Sequence, residues 1–127
     1  MASQDQLIYH LVPQSYYQAQ PHDQPYLPGL FEQEGFIHCT AGIEMLLQVA
    51  NAFFADLPES LLVLEIDPDQ LFAPLKFEPP ASPKSIESDF TPEPDRLFPH
   101  IYGPLNREAI KHTFTLQRNR AGQWQMP

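Results

Sequence analysis

The chain alternates between short apolar runs and segments rich in proline. The runs over residues 7–12 and 36–39 are short and bounded by turn-forming residues, so each predicts a strand. Residues 61–67 are almost continuously apolar, which predicts a central strand buried on both faces at its start. Apolar and polar side chains alternate over 75–78 and 109–118, and this period of two predicts two further strands.

One segment has the periodicity of an amphipathic helix. Between residues 40 and 54 apolar side chains recur at intervals of three and four, at Ile43, Leu46, Leu47, Ala50, Phe53 and Phe54. Thr40 is the expected N-cap of this helix, and Glu44 lies near the positive end of its dipole. One or two helical turns are also expected over 15–20, followed by an ordered loop over 21–35.

These elements predict a single small α+β domain over residues 1–127, with a split, mixed or mostly antiparallel sheet and one main helix. The 15 prolines exclude an all-helical bundle because proline ends helices. Residues 79–99 predict a long proline-rich loop, which is expected to be functional or mobile. A turn is expected over 119–122, followed by a frayed C-terminal segment that carries Trp124.

The charge of the chain is divided unevenly along its length. Residues 1–75 contain ten acidic residues and no Lys or Arg, whereas 76–127 contain six acidic and all seven basic residues, for a net charge of −9. A nucleic-acid surface requires clustered Lys and Arg, so nucleic-acid partners are not expected. The single Cys39 cannot form an internal disulfide, and no apolar run is long enough to span a bilayer. We therefore expect a cytoplasmic protein without a membrane partner.

Three histidines, His10, His38 and His100, lie in or directly after apolar runs. Burying an imidazole is unfavourable unless it is hydrogen-bonded, so three in this setting predict a shared cleft. Each could instead be a packed residue bonded to a carbonyl or a carboxylate. A metal-dependent enzyme with the three imidazoles converging on one ion is a further alternative. Their spacing includes no local ligand pair, however, and no metal is expected.

Two further residues are candidates for chemistry at the ends of strands. Glu65 and Asp67 lie two apart on one strand face, where a carboxylate can act as a base; solvent-facing carboxylates are the alternative. Cys39, just before the main helix, is a minor candidate for a thiol nucleophile, and a buried inert thiol is the favoured interpretation.

The segment 99–104 predicts a rigid binding wall. Prolines fix its backbone at both ends, and Gly103 permits a close approach or a positive φ. It holds His100 and Tyr102 in place, or else forms a simple turn with a packed tyrosine. Arg96, just upstream, is the nearest candidate to bind an anionic group.

Several motifs together resemble the bacterial domain-of-unknown-function family 952. They are Tyr9-His10, the Glu-Gly-Phe-Ile-His-Cys-Thr segment 34–40, Leu-Glu-Ile-Asp at 64–67 and Phe-Pro-His-Ile-Tyr-Gly-Pro-Leu at 98–105. The resemblance covers about residues 7–117. It implies a fold similar to that of the ADP-ribosyltransferases, with a cleft for NAD or a related nucleotide.

The resemblance also implies roles for individual residues. His10 would hold a ribose hydroxyl, His38 and Phe36 would lie near the nicotinamide, and His100 and Tyr102 would complete the wall. Together with Glu65 at the strand end, His38 and His100 are the catalytic candidates. With Thr40 and Arg96 added, the ligand-binding candidates are His10, Phe36, Thr40, Arg96 and Tyr102.

Two features limit what the resemblance implies about activity. The pyrophosphate would need Arg96, Arg107, Lys111 or backbone donors, because residues 1–75 offer no Lys or Arg. Many transferases carry a late catalytic glutamate, and no motif marks Glu108 as that residue. The functions expected are an ADP-ribosyltransferase-like enzyme or pseudo-enzyme, a non-catalytic small-molecule or protein-binding module, or the metal-dependent enzyme described above.

Overall fold

A computed structural model describes residues 7–29, 31–79 and 97–127. These residues form a small α+β fold with antiparallel sheets and short helices. The strands are β1 (Ile8–Pro13), β2 (Ile37–His38), β3 (Thr40–Ala41), β4 (Leu61–Ile66), β5 (Leu75–Glu78), β6 (Phe98–Ile101), β7 (Ile110–Thr115), β8 (Gln117–Arg118) and β9 (Trp124–Gln125). The helices are α1 (Gln14–Gln18), α2 (Phe31–Glu34) and α3 (Ile43–Phe53).

The main sheet has the strand order β3-β1-β4-β7, and every neighbouring pair is antiparallel. Because side chains alternate between the faces of a strand, the sheet contributes to two apolar layers. Leu11 and Val63 pack in one layer with Trp124 and residues of α3. Ile8 and Leu64 pack in the other, which lies between this sheet and the second sheet.

The second sheet has the order β2-β6-β5, again with antiparallel pairing. Ile37, Ile101 and Leu75 face each other across its three strands and join the inner apolar layer. The chain crosses from this sheet to the main sheet at Cys39, which separates β2 from β3. The predicted α+β class and the antiparallel pairing are therefore confirmed.

Thr40 is not the N-cap of the main helix, so this prediction is wrong. It lies in β3 opposite Tyr9, and the helix begins at Ile43 after Gly42, whose φ is 92° and which supplies no side-chain cap. Pairing of Thr40 with β1 holds its backbone in the extended conformation. The glycine then makes the sharp change of direction that precedes the helix, at a φ that other residues rarely adopt.

The C-terminal segment is not frayed, which corrects a second prediction. β8 and β9 form a small hairpin, and Trp124 is only 4 % exposed. Its indole N–H donates to the carbonyl of Phe54 at 2.8 Å, and its backbone N–H donates to the side chain of Asn51 at 2.7 Å. The C-terminal hairpin therefore packs on α3.

Two predicted connections have a different outcome. The expected loop over 21–35 contains the short helix α2. Most of the predicted loop over 79–99 lies outside the described residues, as does Arg96. Within the described part of the chain, no helix has the length and apolar character needed to cross a membrane.

Candidate functional site

The outer face of the second sheet carries the candidate site. His38 lies opposite His100, and His100 lies opposite Lys76, so the three side chains form one row across β2, β6 and β5. Residues two positions apart in extended chain share a face, which adds three more side chains to this surface. The set, called the histidine face below, is Phe36, His38, Lys76, Glu78, His100 and Tyr102.

His100 is the most buried member of the histidine face, with 2 % of its side chain exposed. Its Nδ1–H donates to Oε1 of Glu78 at 2.8 Å, and the hydroxyl of Tyr102 donates to the same oxygen. The hydrogen bonds from Tyr102 and His100 lower the pKa of Glu78, so this carboxylate is ionised and can only accept. In the neutral imidazole of His100 the proton therefore sits on Nδ1. Its Nε2 is buried and has no hydrogen-bond partner in the described part of the chain.

His38 is bonded to a second carboxylate. Its Nε2–H donates to Oε1 of Glu34 in α2 at 3.0 Å, and Glu34 precedes it by four residues. Burial lowers the pKa of His38 below its usual value, while Glu34 opposes this shift and His100 adds to it. The side chain of His38 is 28 % exposed, so a neutral imidazole of the site reaches the surface here.

Aromatic contacts hold the two histidines together. Phe36 stacks on His100 with ring centroids 4.2 Å apart and planes inclined by 21°. It also contacts His38 at 4.6 Å and Tyr102 at 5.4 Å, while the imidazoles of His38 and His100 lie 5.7 Å apart, edge to face. Nζ of Lys76 lies 5.0 Å from the centre of the Tyr102 ring, a cation–π distance. The surface thus combines flat rings, two imidazoles and one ammonium group.

His10 lies beneath this surface, between the two sheets. Its Nδ1–H donates to the carbonyl of His38 at 2.7 Å, and its Nε2 accepts from the hydroxyl of Tyr26 at 2.9 Å. Burial lowers the pKa of His10 to about 4, so the ring is neutral. Both nitrogens are used by the protein, which matches the packed alternative. The role of His10 in holding a ribose stays a prediction.

Both nitrogens of His10 are hydrogen-bonded within the protein, so neither is free to bind a metal ion together with His38 and His100. Over residues 7–29, 31–79 and 97–127, no group of three or more His, Cys, Asp or Glu side chains could hold a metal ion. The geometry therefore does not support the metal-dependent alternative.

Other predicted residues lie away from the histidine face. Thr40 and Glu65 both lie opposite Tyr9 in the main sheet, and Glu65 accepts from Nδ1 of the exposed His112 at 2.9 Å. Cys39 is buried, and burial raises the pKa of its thiol, which fits the inert interpretation. The catalytic role of Glu65 and the binding roles of Thr40 and Arg96 stay predictions.

Sequence reasoning missed the partners of the histidines. Glu34, Glu78 and Tyr26 each bind a histidine, and Lys76 joins the histidine face. The spacing of four between Glu34 and His38 was a usable local signal. Glu78 and Tyr26 are distant in sequence from their partners and gave no such signal.

Arg107 was a candidate for binding pyrophosphate, and in the structure its guanidinium is hydrogen-bonded to other parts of the protein. Its guanidinium donates to the hydroxyl of Tyr17 and to the carbonyls of Pro21 and Gln24, at 2.7–2.9 Å. It therefore holds the segment after α1 against the turn at 107–109.

The fold and this site define a small α+β protein with two carboxylate-bonded histidines on the outer face of a three-stranded sheet. Residues 11–113 match the family described as protein of unknown function (DUF952), and the chain belongs to that family. The sequence resemblance to family 952 is thus confirmed.

Solved structures support the fold. The crystal structure of protein CC0527 from Caulobacter crescentus superposes with a TM-score of 0.72 at 23 % identity, covering 94 % of this chain and 93 % of that one. A double mutant of CC0527 gives the same TM-score and coverage at 22 % identity. No curated protein matches the sequence.

Proposed function

We propose that the histidine face binds NAD or a related nucleotide, in a fold resembling that of the ADP-ribosyltransferases. The observation that carries the proposal is the cluster of rings around His100, with Phe36 stacked on it at 4.2 Å and Tyr102 and His38 alongside. Flat apolar rings edged by polar nitrogens suit a planar heterocycle, which gains free energy by stacking on them. The family resemblance also assigns Phe36 and His38 to the nicotinamide end, and His100 and Tyr102 to the wall that completes the cleft.

The charges around the histidine face support the same ligand. The nicotinamide ring of NAD is a cation, and the carboxylates of Glu34 and Glu78 that bind the two imidazoles favour a positive ring nearby. Lys76 offers an ammonium group at the Tyr102 side of the face, where a pyrophosphate can bind. Arg96 is the further cation predicted for that group.

Calorimetric titration with NAD tests the proposal. Phe36→Ala removes the stacked ring, and we expect it to weaken NAD binding about tenfold or more, as loss of one stacking contact commonly does. Phe77→Ala is the matched control: Phe77 lies in β5, is exposed, and points away from the histidine face because it neighbours Lys76. Absence of any heat with millimolar NAD, or equal weakening in both variants, would contradict the proposal.

The second candidate function is a non-catalytic binding module. Glu108, the late carboxylate, lies in the short 3-10 turn at 107–109 and accepts from Asn106, away from the histidine face. Chromatography of NAD incubated with the protein separates the two functions. Release of nicotinamide that is lost in a His100 variant indicates an enzyme, with His38 and His100 as its catalytic candidates. Binding with no release indicates the module.

A further inference from the structure

The buried Nε2 of His100 has no hydrogen-bond partner in the described part of the chain. We infer that this nitrogen accepts a hydrogen bond from the exocyclic group of the ligand ring and so selects a carboxamide over a carboxylate. The inference rests on the proposed function above, because it assumes that a pyridine nucleotide binds at the histidine face.

In the neutral form of the His100 imidazole, its neighbours make Nε2 the nitrogen that accepts a hydrogen bond. The ionised Glu78 accepts from Nδ1–H and from the Tyr102 hydroxyl, so the proton of the neutral ring is held on the opposite nitrogen. A buried acceptor without a partner is unfavourable and is rare in folded proteins. A ligand that brings an N–H or O–H donor to this position removes that penalty, and a ligand without one leaves it in place.

This arrangement distinguishes two rings that have the same shape. A carboxamide offers N–H donors, whereas a carboxylate offers only acceptors and leaves Nε2 unpaired. The carboxylate would also lie near Glu78, bonded to His100 at 2.8 Å, and near Glu34, bonded to His38 at 3.0 Å, and both repel it. Lys76, opposite His100 in the sheet, would attract a carboxylate. If this attraction exceeded the repulsion from Glu34 and Glu78, the protein would prefer the carboxylate to the carboxamide.

The partly exposed Phe36 ring stacks on one face of the His100 imidazole, whereas the lone pair of Nε2 lies in the plane of that ring. Rotation of Phe36 away from His100 opens the space beside this face, and the exocyclic group of the ligand reaches the edge that carries Nε2 through that space. Phe36 then packs on the ligand, so the same residue contributes to stacking. A single rotation of this kind is fast compared with most binding events.

The experiment compares three probes on one protein by calorimetry at pH 7.5. NAD carries the carboxamide, nicotinic acid adenine dinucleotide carries the carboxylate, and ADP-ribose lacks the ring. His100→Asn keeps an amide donor for Glu78 near the place of Nδ1 and removes the acceptor at Nε2. His112→Asn makes the same change at an exposed histidine of the main sheet that is likewise bonded to a glutamate.

We expect the wild type to bind NAD at least about fivefold more tightly than the acid dinucleotide, as one hydrogen bond allows. The preference is expected to persist in His112→Asn and to fall to about twofold or less in His100→Asn. Thermal melts establish that each variant is folded. If His100→Asn does not fold, Glu78→Gln replaces it, and removal of the negative charge is expected to reduce the same preference.

The outcomes separate the two proposals. If no probe binds the wild type, the proposed function fails and the inference fails with it. If the probes bind but the acid dinucleotide binds as well as NAD or better, only the inference is overturned. The same conclusion follows if ADP-ribose binds as tightly as NAD, or if His100→Asn still binds NAD more tightly than the acid dinucleotide to the same extent as the wild type.

Discussion

At the scale of single residues, the buried histidines differ in how completely they are satisfied. His10 has a partner on each nitrogen, from Tyr26 and from the carbonyl of His38, whereas His100 has a partner on Nδ1 alone among residues 7–29, 31–79 and 97–127. A fully bonded neutral imidazole is a stable core group. A half-bonded one leaves a buried polar atom unpaired, which is why we propose a ligand contact for that nitrogen of His100.

The bond between Tyr26 and His10 should contribute to stability. Tyr26→Phe removes the hydroxyl that donates to Nε2 of His10 and leaves that buried nitrogen unpaired. We expect the free energy of unfolding in urea to fall by about 1–3 kcal/mol. Tyr16→Phe is the control, because its hydroxyl donates to the carbonyl of Leu27 at an exposed position. A loss in the control as large as in Tyr26→Phe would contradict this role.

His10 should also make stability depend on pH. Its pKa is lowered from the ordinary value of 6.5 to about 4, mainly by burial. Between these values the unfolded chain binds a proton that the folded chain does not, so stability falls as the pH falls from 6.5 to 4. The full loss is about 3 kcal/mol, and above pH 6.5 His10 contributes no pH dependence.

Urea unfolding of wild type and His10→Phe at several pH values measures this contribution. We expect the variant to have a shallower slope of stability against pH between 4 and 6.5, whatever its stability at pH 7. His22→Phe, at an exposed position in the loop after α1, should keep the slope of the wild type. Equal slopes in wild type and His10→Phe would show that His10 is not the titrating group.

The burial of these histidines could be predicted from sequence, and their partners could not. Apolar neighbours on both sides of His10 and His100 indicate burial without any knowledge of the fold. The pairing of His100 with Glu78 depends on which strands become neighbours in the sheet. The pairing of His10 with Tyr26 depends on a loop that returns to the core. Such information arises only when the chain is folded.

At the scale of elements, the segments with a visible apolar pattern were predicted correctly, whereas the two-residue strands β3 and β9 were not predicted. β4 and α3 have enough residues for a pattern to be visible, and both occur where they are expected. β9 has two residues and therefore no period, so the turn before it was predicted while its pairing with β8 was missed. Thr40 was assigned to a cap because the local preference for Thr there is real, but pairing with β1 overrides it.

The close approach expected at Gly103 occurs and can be tested. A Cβ at this position would lie 2.7 Å from Cβ of Ala73, so the backbone after β6 packs directly on the segment before β5. We expect Gly103→Ala to lower the free energy of unfolding by about 1–3 kcal/mol through overpacking.

Gly29→Ala is the matched control for Gly103→Ala. Its added Cβ would meet the hydroxyl of Tyr16 at 3.5 Å, an ordinary contact, so we expect a change within about 0.5 kcal/mol. Chemical denaturation measures both variants. A similar effect of the two substitutions would mean that loss of glycine flexibility, and not the clash with Ala73, determines the result.

At the scale of the whole molecule, the part of the chain that the structure describes forms three layers: α3 with the C-terminal hairpin, the main sheet, and the second sheet with the histidine face. The α+β class could be predicted because the number and length of the apolar runs restrict the possible architectures. The division into two sheets could not be predicted. The chain changes sheet at Cys39, and the apolar run at 36–39 continues through this position without a break in the pattern.

Trp124 should be important for the stability of the whole molecule. Trp124→Ala removes a buried indole that packs with α3 and bonds to Phe54, and we expect a loss of about 3–5 kcal/mol. Met126→Ala, at the exposed end of the same segment, should change stability by less than about 0.5 kcal/mol. Thermal melts would contradict the packing role if the two variants melted together.

The pairing of β2 with β6 also has a consequence for the order of folding. His38 and His100 are roughly 60 residues apart, and contacts between distant residues form late because closing the loop between them reduces chain entropy. The helix α3 needs only local contacts and can form earlier. We therefore expect ligand-binding capacity to be recovered more slowly than helical circular dichroism during refolding, so a chain can regain its helix before it can bind.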